Sequence, residues 1–441
     1  MHPYPYDYVI SNWPHPILTK TIPLGWSGRY LCVSPGVPIR RIESQGREWF
    51  LLGVPIGQTP EQTDDIYRES CAWGGRWILI GEQEIIPDAA AMFACYYGKG
   101  IASNPTLLTE QPPSDPAAIR EGFIVPPESG YDGISRLLPS QVLDIETGRP
   151  KLRQIDWVRS PDYDKTLRRL ANKYQTMMRS VYASHPNIWV TLTGGRDSRL
   201  ILAIAHAAGV PITTYTFRKP WGYMTPADRD LPPELAKIAG YPHVEIPSGG
   251  LNLRRLRTFR ELVDRFSLRP GTTPFYAVYG YMDRLPKQAA LLDGLCGELG
   301  RLYYEGKPLD RMAPQTQGNK TGLRRLNEWW SQHPAPIPDS ERFYWEARLP
   351  GWVANTQRLD DFTYQGQHAP MLFLNCLSTY IDILGLDKSK RRNGRYIQDL
   401  IELMFPKARG IPINPPARRV VRYGMRAVQA ITAPYYRVLE K

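Results

Sequence analysis

The chain has little cysteine, and what it has is scattered. Cys32, Cys71, Cys95, Cys296 and Cys376 lie far apart and form no CxxC pair. That spacing offers no zinc ribbon and no disulfide framework, so free thiols in a reducing cytoplasm are expected. Long apolar runs are also missing. None approaches the roughly 20 residues a spanning helix needs, so no membrane span is expected. The opening MHPYPYDYVISNW carries neither a basic stretch nor an apolar one, which speaks against a secretory signal. No internal repeat and no long low-complexity tract occurs.

What is present is an ordinary globular composition, with two excesses. Proline is frequent, 42 in 441 residues, and clusters in connecting stretches such as Pro112, Pro113, Pro116 and the HPAPIPD run at 333–339. Positive charge is in surplus, with a formal net charge of +12. Much of it sits in LNLRRLRTFR (251–260), KSKRR (388–392) and ARRVVRYGMR (417–426). Such a balance suits polyanions, including phosphorylated substrates, although solvated helix faces produce the same runs. Domains cluster near roughly 100–200 residues, so this length implies two.

The two halves read differently. GRYLCVS, EWFLLGV and GRWILIG are short apolar runs bounded by glycine and charge, so the first 155 residues are expected to be β-rich. From about residue 160 the period changes. KTLRRLANKYQTMMRSVYA (165–183) has helical spacing, and NIWVTLT (187–193) reads as a buried strand. DSRLILAIAHAA follows as a helix stopped by Gly209, then PITTYTF (211–217) as a strand. PPELAKIA is a helix closed by Gly240, and HVEI is a short strand. This alternation predicts a parallel α/β sheet, with the domain boundary near residue 155.

The segment between the first strand and helix of that unit is Leu192-Thr193-Gly194-Gly195-Arg196-Asp197-Ser198-Arg199. In doubly wound sheets ligands bind at such carboxyl ends of strands. Adjacent glycines let backbone approach an anion, and the following helix points its free N–H groups at it. Thr193 and Ser198 add hydroxyls, while Arg196 and Arg199 add positive charge. A carboxylate at Asp197 would repel a phosphate unless a Mg2+ ion lay between them. An ordinary β–α turn with a capping Asp or Ser fits the same residues.

TGGRDSR resembles the SGGxDS pyrophosphate loop of the ATP-pyrophosphatase superfamily, with Thr193 for the usual first Ser. It is not a Walker loop, because the lysine is absent. Asp293-Gly294-Leu295-Cys296-Gly297-Glu298 resembles SGxGxDE of the asparagine-synthetase branch, which includes β-lactam synthetase and macrolactam-forming peptide cyclases. Ala369 to Asn375 is similar to that branch's PFLD segment, and Phe405 to Pro412 to its late lysine-bearing region. The resemblance implies ATP bound by Leu192, Thr193, Gly194, Gly195, Asp197, Ser198, Phe217 and Gly294. It implies Mg2+ on Asp197 and Glu298, and Arg196 and Lys407 as catalytic groups, with Lys388 and Lys390 behind Lys407. Here Asp293 replaces the family's Ser, and Glu298 stands alone where the family has an Asp-Glu pair.

The N-terminal runs follow the order of the family's glutaminase-like domain. That domain needs Cys directly after Met, because its amine and thiol act together. Position two is His2, so a degenerate glutaminase is expected. The fold class expected is α/β. An N-terminal-nucleophile-like β-rich sandwich over 1–155 precedes a parallel-sheet ATP-pyrophosphatase domain over 156–441. The function implied is an ATP-dependent ligase that adenylates a small-molecule or peptide carboxylate for capture by an amine or ammonia. A nucleotide-binding scaffold without catalysis is the alternative. No nucleic-acid partner is expected, since no RNA-binding module is visible. A homodimer or a biosynthetic partner protein is compatible with this reading. Tyr303, Tyr304 and Glu346 are available as an amine-activating Tyr–Glu pair but match no motif.

Overall fold

The computed structural model describes residues 6–114, 124–159, 162–219, 224–250, 252–258, 280–312, 320–355, 357–358, 369–416, 421–428 and 430. His2 and parts of the basic runs at 251–260 and 417–426 lie outside the described residues.

Residues 8–152 form two sheets. In one, spatial order runs Ser135–Arg136, Tyr96–Tyr97, Ile101–Ala102, Tyr8–Ser11, Arg29–Val33, Lys20–Leu24, all antiparallel. In the other it runs Pro150–Leu152, Gln141–Asp144, Glu84–Pro87, Gly74–Gly81, Arg47–Ile56, Ile39–Ser44, Gln62–Thr63, with only the last pair parallel. Side chains alternate across a strand. Thus Tyr8, Ile10, Leu31 and Val33 meet Phe50, Leu52, Ile78 and Ile80 in one core. Trp49, Leu51, Trp77 and Leu79 point the other way, onto Ile66 of the helix Ile66–Cys71. Burial on both faces explains why GRWILIG is an unbroken apolar run.

The helix Tyr163–Ser184 opens on Asp162, whose carboxylate accepts from Lys165 N at 2.9 Å. Its buried stripe is Leu167, Leu170, Ala171, Tyr174, Met177, Met178 and Val181, spaced at three and four. Beyond it lies a five-stranded parallel sheet. Spatial order is His243–Pro247, Thr213–Arg218, Ile188–Thr191, Ala290–Leu292, Ala369–Met371. The chain winds outward from 188–191 in one direction, then returns to add 290–292 on the other side. The switch point therefore falls between 188–191 and 290–292, where an open α/β sheet offers its crevice. Both quoted motifs leave from the carboxyl ends of those two strands.

The helix Arg196–Ala208 ends where Gly209 turns left-handed at φ 68°. The next helix runs Pro226–Ala239 and is capped by Gly240 at φ 79°. It begins earlier than the Pro232-Pro233 pair suggests, because Thr225 caps it and Pro226 fills its first position.

The halves share a core. Ile56, Ala89, Met92 and Leu138 pack in one cluster with Tyr174, Met177, Phe373 and Leu377. Asn375, from the PFLD-like segment, donates to Gly75 O at 2.7 Å and to Asp88 Oδ1 at 2.9 Å. Trp345 Nε1 donates to Ala89 O at 2.6 Å.

Candidate nucleotide site

The turn after strand 188–191 is folded by its own hydroxyls. Thr193 N donates to Ser198 Oγ at 3.1 Å, and the Thr193 and Ser198 hydroxyls are 3.0 Å apart. Gly195 N donates back to Thr193 Oγ1 at 3.1 Å. Leu192 is fully buried, and its N–H donates to Tyr215 O at 2.8 Å. Gly194 has a reason of its own. A Cβ there would lie 3.0 Å from both Ala227 Cβ and Ala227 O. The 226–239 helix comes that close because Asp228 Oδ1 accepts from Gly194 N at 3.0 Å. Gly195 is the N-cap of the 196–208 helix, which has no side-chain cap. The first-turn N–H groups are thus left for an anion, at the positive end of the helix dipole.

Arg199 is not part of the anion site. Its guanidinium donates to Ile411 O at 2.9 Å, Pro412 O at 2.6 Å and Gly194 O at 3.3 Å. With Asn414 N donating to Gly194 O at 3.0 Å, it ties the 411–414 segment onto the turn.

The second motif lies directly on the first. A Cβ at Gly294 would be 2.4 Å from Asp197 Cβ, and one at Gly297 would be 2.7 Å from Asp197 Oδ1. Asp293 is half-buried, and loss of solvent around it pushes its carboxyl up to about 7. Glu298 adds to that rise, while Leu295 N, donating to Asp293 Oδ1 at 2.9 Å, opposes it. Burial also raises Glu298, which hydrogen-bonds Tyr344 and has a second oxygen with no hydrogen-bond partner among the described residues. Arg301 forms an ion pair with Asp197. Burial is the main reason its guanidinium pKa is lowered, and the charge of Arg196 contributes. Gly394 floors this pair of arginines, since a Cβ there would be 3.1 Å from Arg196 Nη1.

These groups do not fit the expected Mg2+ on Asp197 and Glu298. A guanidinium stands against the Asp197 carboxylate, and Glu298 gives one of its oxygens to a hydrogen bond with Tyr344. Among the described residues, no group of three or more His, Cys, Asp or Glu is placed to hold a metal.

Other expected residues lie further out. Phe217 sits at the carboxyl end of its strand but is buried, its ring 5.2 Å from those of Tyr215 and Tyr281. Lys407 is exposed on the short turn Pro406–Ala408 and takes no part in the hydrogen-bonded network of the loop. Lys390 lies over the Tyr163 ring at 4.6 Å, and Lys388 is exposed. Glu346 is fully buried, bonded to Arg342 at 2.8 Å and Trp330 at 3.1 Å, and so serves the core. Tyr303 is exposed and Tyr304 buried, with rings 5.1 Å apart.

Four residues of the site escaped sequence reading. Asp228, Arg301 and Asn414 touch the loop. Lys219 stands at the carboxyl end of strand 213–218, partly buried beside Asp228, with a pKa lowered mainly by burial. Only Asp228 had a signal. Thr225-Pro226-Ala227-Asp228 has the spacing of a capping box, and Asp228 N does donate to Thr225 Oγ1 at 3.1 Å.

A cavity of about 650 Å³ lies elsewhere, between strand 47–56 and the end of helix 163–184. No residue of the loop lines it. No described helix is long and apolar enough to cross a membrane.

No family model matches this chain, and no curated protein does. Solved structures give weak likenesses. The NMN synthetase of Francisella tularensis is 12% identical with a TM-score of 0.21, over 59% of this chain and 100% of that one. The glutamine-dependent NAD+ synthetase of Acinetobacter baumannii, solved with ADP, is 17% identical with a TM-score of 0.22. That match covers 47% of this chain and only 39% of the other. The NH3-dependent NAD synthetase of Campylobacter jejuni is 12% identical with a TM-score of 0.22, over 50% of this chain and 94% of that one.

Proposed function

We propose that the chain is an ATP-dependent ligase that forms AMP and pyrophosphate while activating a carboxylate. The observation that carries this is the Thr193–Ser198 turn. It is closed by hydroxyl bonds at the switch point of a parallel sheet, under an uncapped helix N-terminus. The pyrophosphate part of ATP would lie on the first turn of helix 196–208, with Arg196 beside it. Lys219, on the same carboxyl edge, is better placed than Lys407 to meet the outer phosphates.

In this reading a substrate carboxylate oxygen attacks the α-phosphorus. An O–P bond forms, the α–β bridging bond breaks, and pyrophosphate leaves with the electron pair. Preorganised N–H groups and guanidinium stabilise the charge that develops on it. An amine then attacks the acyl carbon, AMP departs, and the amine loses a proton. Internal thiols do not supply ammonia from glutamine. Burial pushes Cys95 up to about 12 and raises Cys71, which keeps both as thiols. Free ammonia or a substrate amine is the nitrogen source that fits.

ATP–pyrophosphate exchange, screened across candidate carboxylates, tests the proposal. Exchange that depends on one carboxylate supports it. A role limited to binding is favoured by one observation, the Arg301 ion pair on Asp197. ATP binding with no exchange for any carboxylate would turn the reading that way.

A further inference from the structure

We propose that Arg301 stands in for the divalent cation at this site, so that the chain binds the pyrophosphate part of its nucleotide without Mg2+. The inference rests on reading the 193–198 loop as a nucleotide site.

Mg2+ asks for near-octahedral oxygen ligands at about 2.0–2.1 Å, usually one or two carboxylates with waters and phosphate oxygens. Asp197 is the only carboxylate on the first turn of the loop helix, and Arg301 pairs with it. A second cation brought to Asp197 would meet that guanidinium at contact distance, at a cost in charge repulsion.

Arg301 is not a wandering surface side chain. Its backbone is fixed from both sides. Gly300 N donates to Glu341 Oε2 at 3.1 Å, and Leu302 N donates to Glu341 Oε1 at 3.0 Å. Glu341 is buried and ion-paired with the equally buried Arg391 at 3.1 Å. Gly300 and Leu302 both have positive φ, 84° and 57°, so the chain twists twice around Arg301 to present it. Tyr396 OH donates to Leu299 O at 2.7 Å and anchors the same turn. Glu341, Arg391 and Tyr396 thus fix the backbone from which Arg301 meets Asp197.

The arginines also have donors to spare. Arg301 Nε and Arg196 Nε are both buried and have no hydrogen-bond acceptor among the described residues. An unpaired buried donor is costly, and phosphate oxygens would satisfy both. Both side chains pass over Gly394, where a Cβ would lie 3.1 Å from Arg196 Nη1 and 3.7 Å from Arg301 Cδ, and the charge of Arg196 acts on Arg301; two neighbouring cations suit adjacent phosphates of a diphosphate or triphosphate. Asp197 then orients Arg301 instead of ligating a metal, which makes it a positioning residue.

The test is calorimetric titration of the full chain with inorganic pyrophosphate and with ATP, each in excess EDTA and in excess Mg2+. The expected result is affinity for both ligands in EDTA within about threefold of that in Mg2+, a difference under 1 kcal/mol. Arg301→Met should weaken binding in EDTA by about tenfold or more, and Mg2+ should restore part of the loss by occupying the freed Asp197. Arg301→Lys should fall between, keeping the charge but not the planar fork. Tight binding that requires Mg2+ in the unaltered chain would overturn the inference and leave the nucleotide reading standing. No binding of either ligand in either condition would overturn both. The unaltered chain alone decides between these outcomes, whether or not the variants fold.

Discussion

Gly294 and Asp197 come from segments almost a hundred residues apart, yet a Cβ on Gly294 would lie 2.4 Å from the Asp197 Cβ. The two motifs are built as one surface, and the absence of a side chain at 294 permits it. Gly294→Ala should force the 293–301 segment off the loop helix. Overpacking of this kind costs about 1–3 kcal/mol, so a lower urea midpoint is expected. ATP affinity should fall with it, because Arg301 and Asp197 lose their register. Unchanged ATP titration with Gly294→Ala would contradict this account of the contact.

Asp197→Asn should leave the fold intact, since the side chain is partly exposed and the shape is kept. It removes the charge that holds Arg301. Loss of one preorganised electrostatic element at a reacting centre typically costs about 10²–10³ in turnover. The checks are AMP formation and the thermal unfolding curve of the same preparation. Near-normal AMP formation from folded protein would refute the role given to Asp197.

Asp293 should make stability pH-dependent in a defined direction. Burial raises its folded value to about 7, from a usual 3.8. Between those values the folded chain holds a proton that the unfolded chain has lost. Its contribution is therefore present in full below the unfolded value, falls as pH rises, and is flat above about 7. Urea midpoints compared at acid and neutral pH should show a smaller pH-linked loss in Asp293→Asn than in the unaltered chain. Equal losses would show that Asp293 does not titrate this way.

Residues 1–155 should prove necessary for solubility. Asp88 is fully buried and accepts from Trp77 N, Ala90 N, Met92 N, Phe93 N and, across the interface, Asn375 Nδ2. Removing the segment would strip cover from Tyr174, Met177, Phe373 and Leu377, which share a cluster with Ile56 and Met92. A large exposed apolar patch favours association. The 156–441 fragment should scatter light and elute in the void volume of a sizing column. A soluble, monodisperse and active fragment would contradict this.

Much of the α/β unit was legible because local chemistry decided it. Gly209 and Gly240 stop helices by turning left-handed, and Asp162 opens one as an N-cap. The glycines of the loop were legible as a close approach, but what approaches Gly194 is Ala227, a helix away in sequence. Arg199 looked like charge for a phosphate and is instead a clamp on Ile411 and Pro412. Arg301 had no signal, because its place depends on Glu341 holding the backbone on either side of it. Such long-range pinning leaves no mark on spacing or composition. Lys407 is indicated only by similarity to a family segment, and the fold puts its side chain in solvent.

The proposed ligase would cut ATP between its α- and β-phosphates. The most direct measurement is the nucleotide product formed from ATP in the presence of the carboxylate that supports exchange, resolved by anion-exchange chromatography. The expected products are AMP and pyrophosphate in equal amounts, lost together in Asp197→Asn. ADP and orthophosphate as the sole products would contradict it.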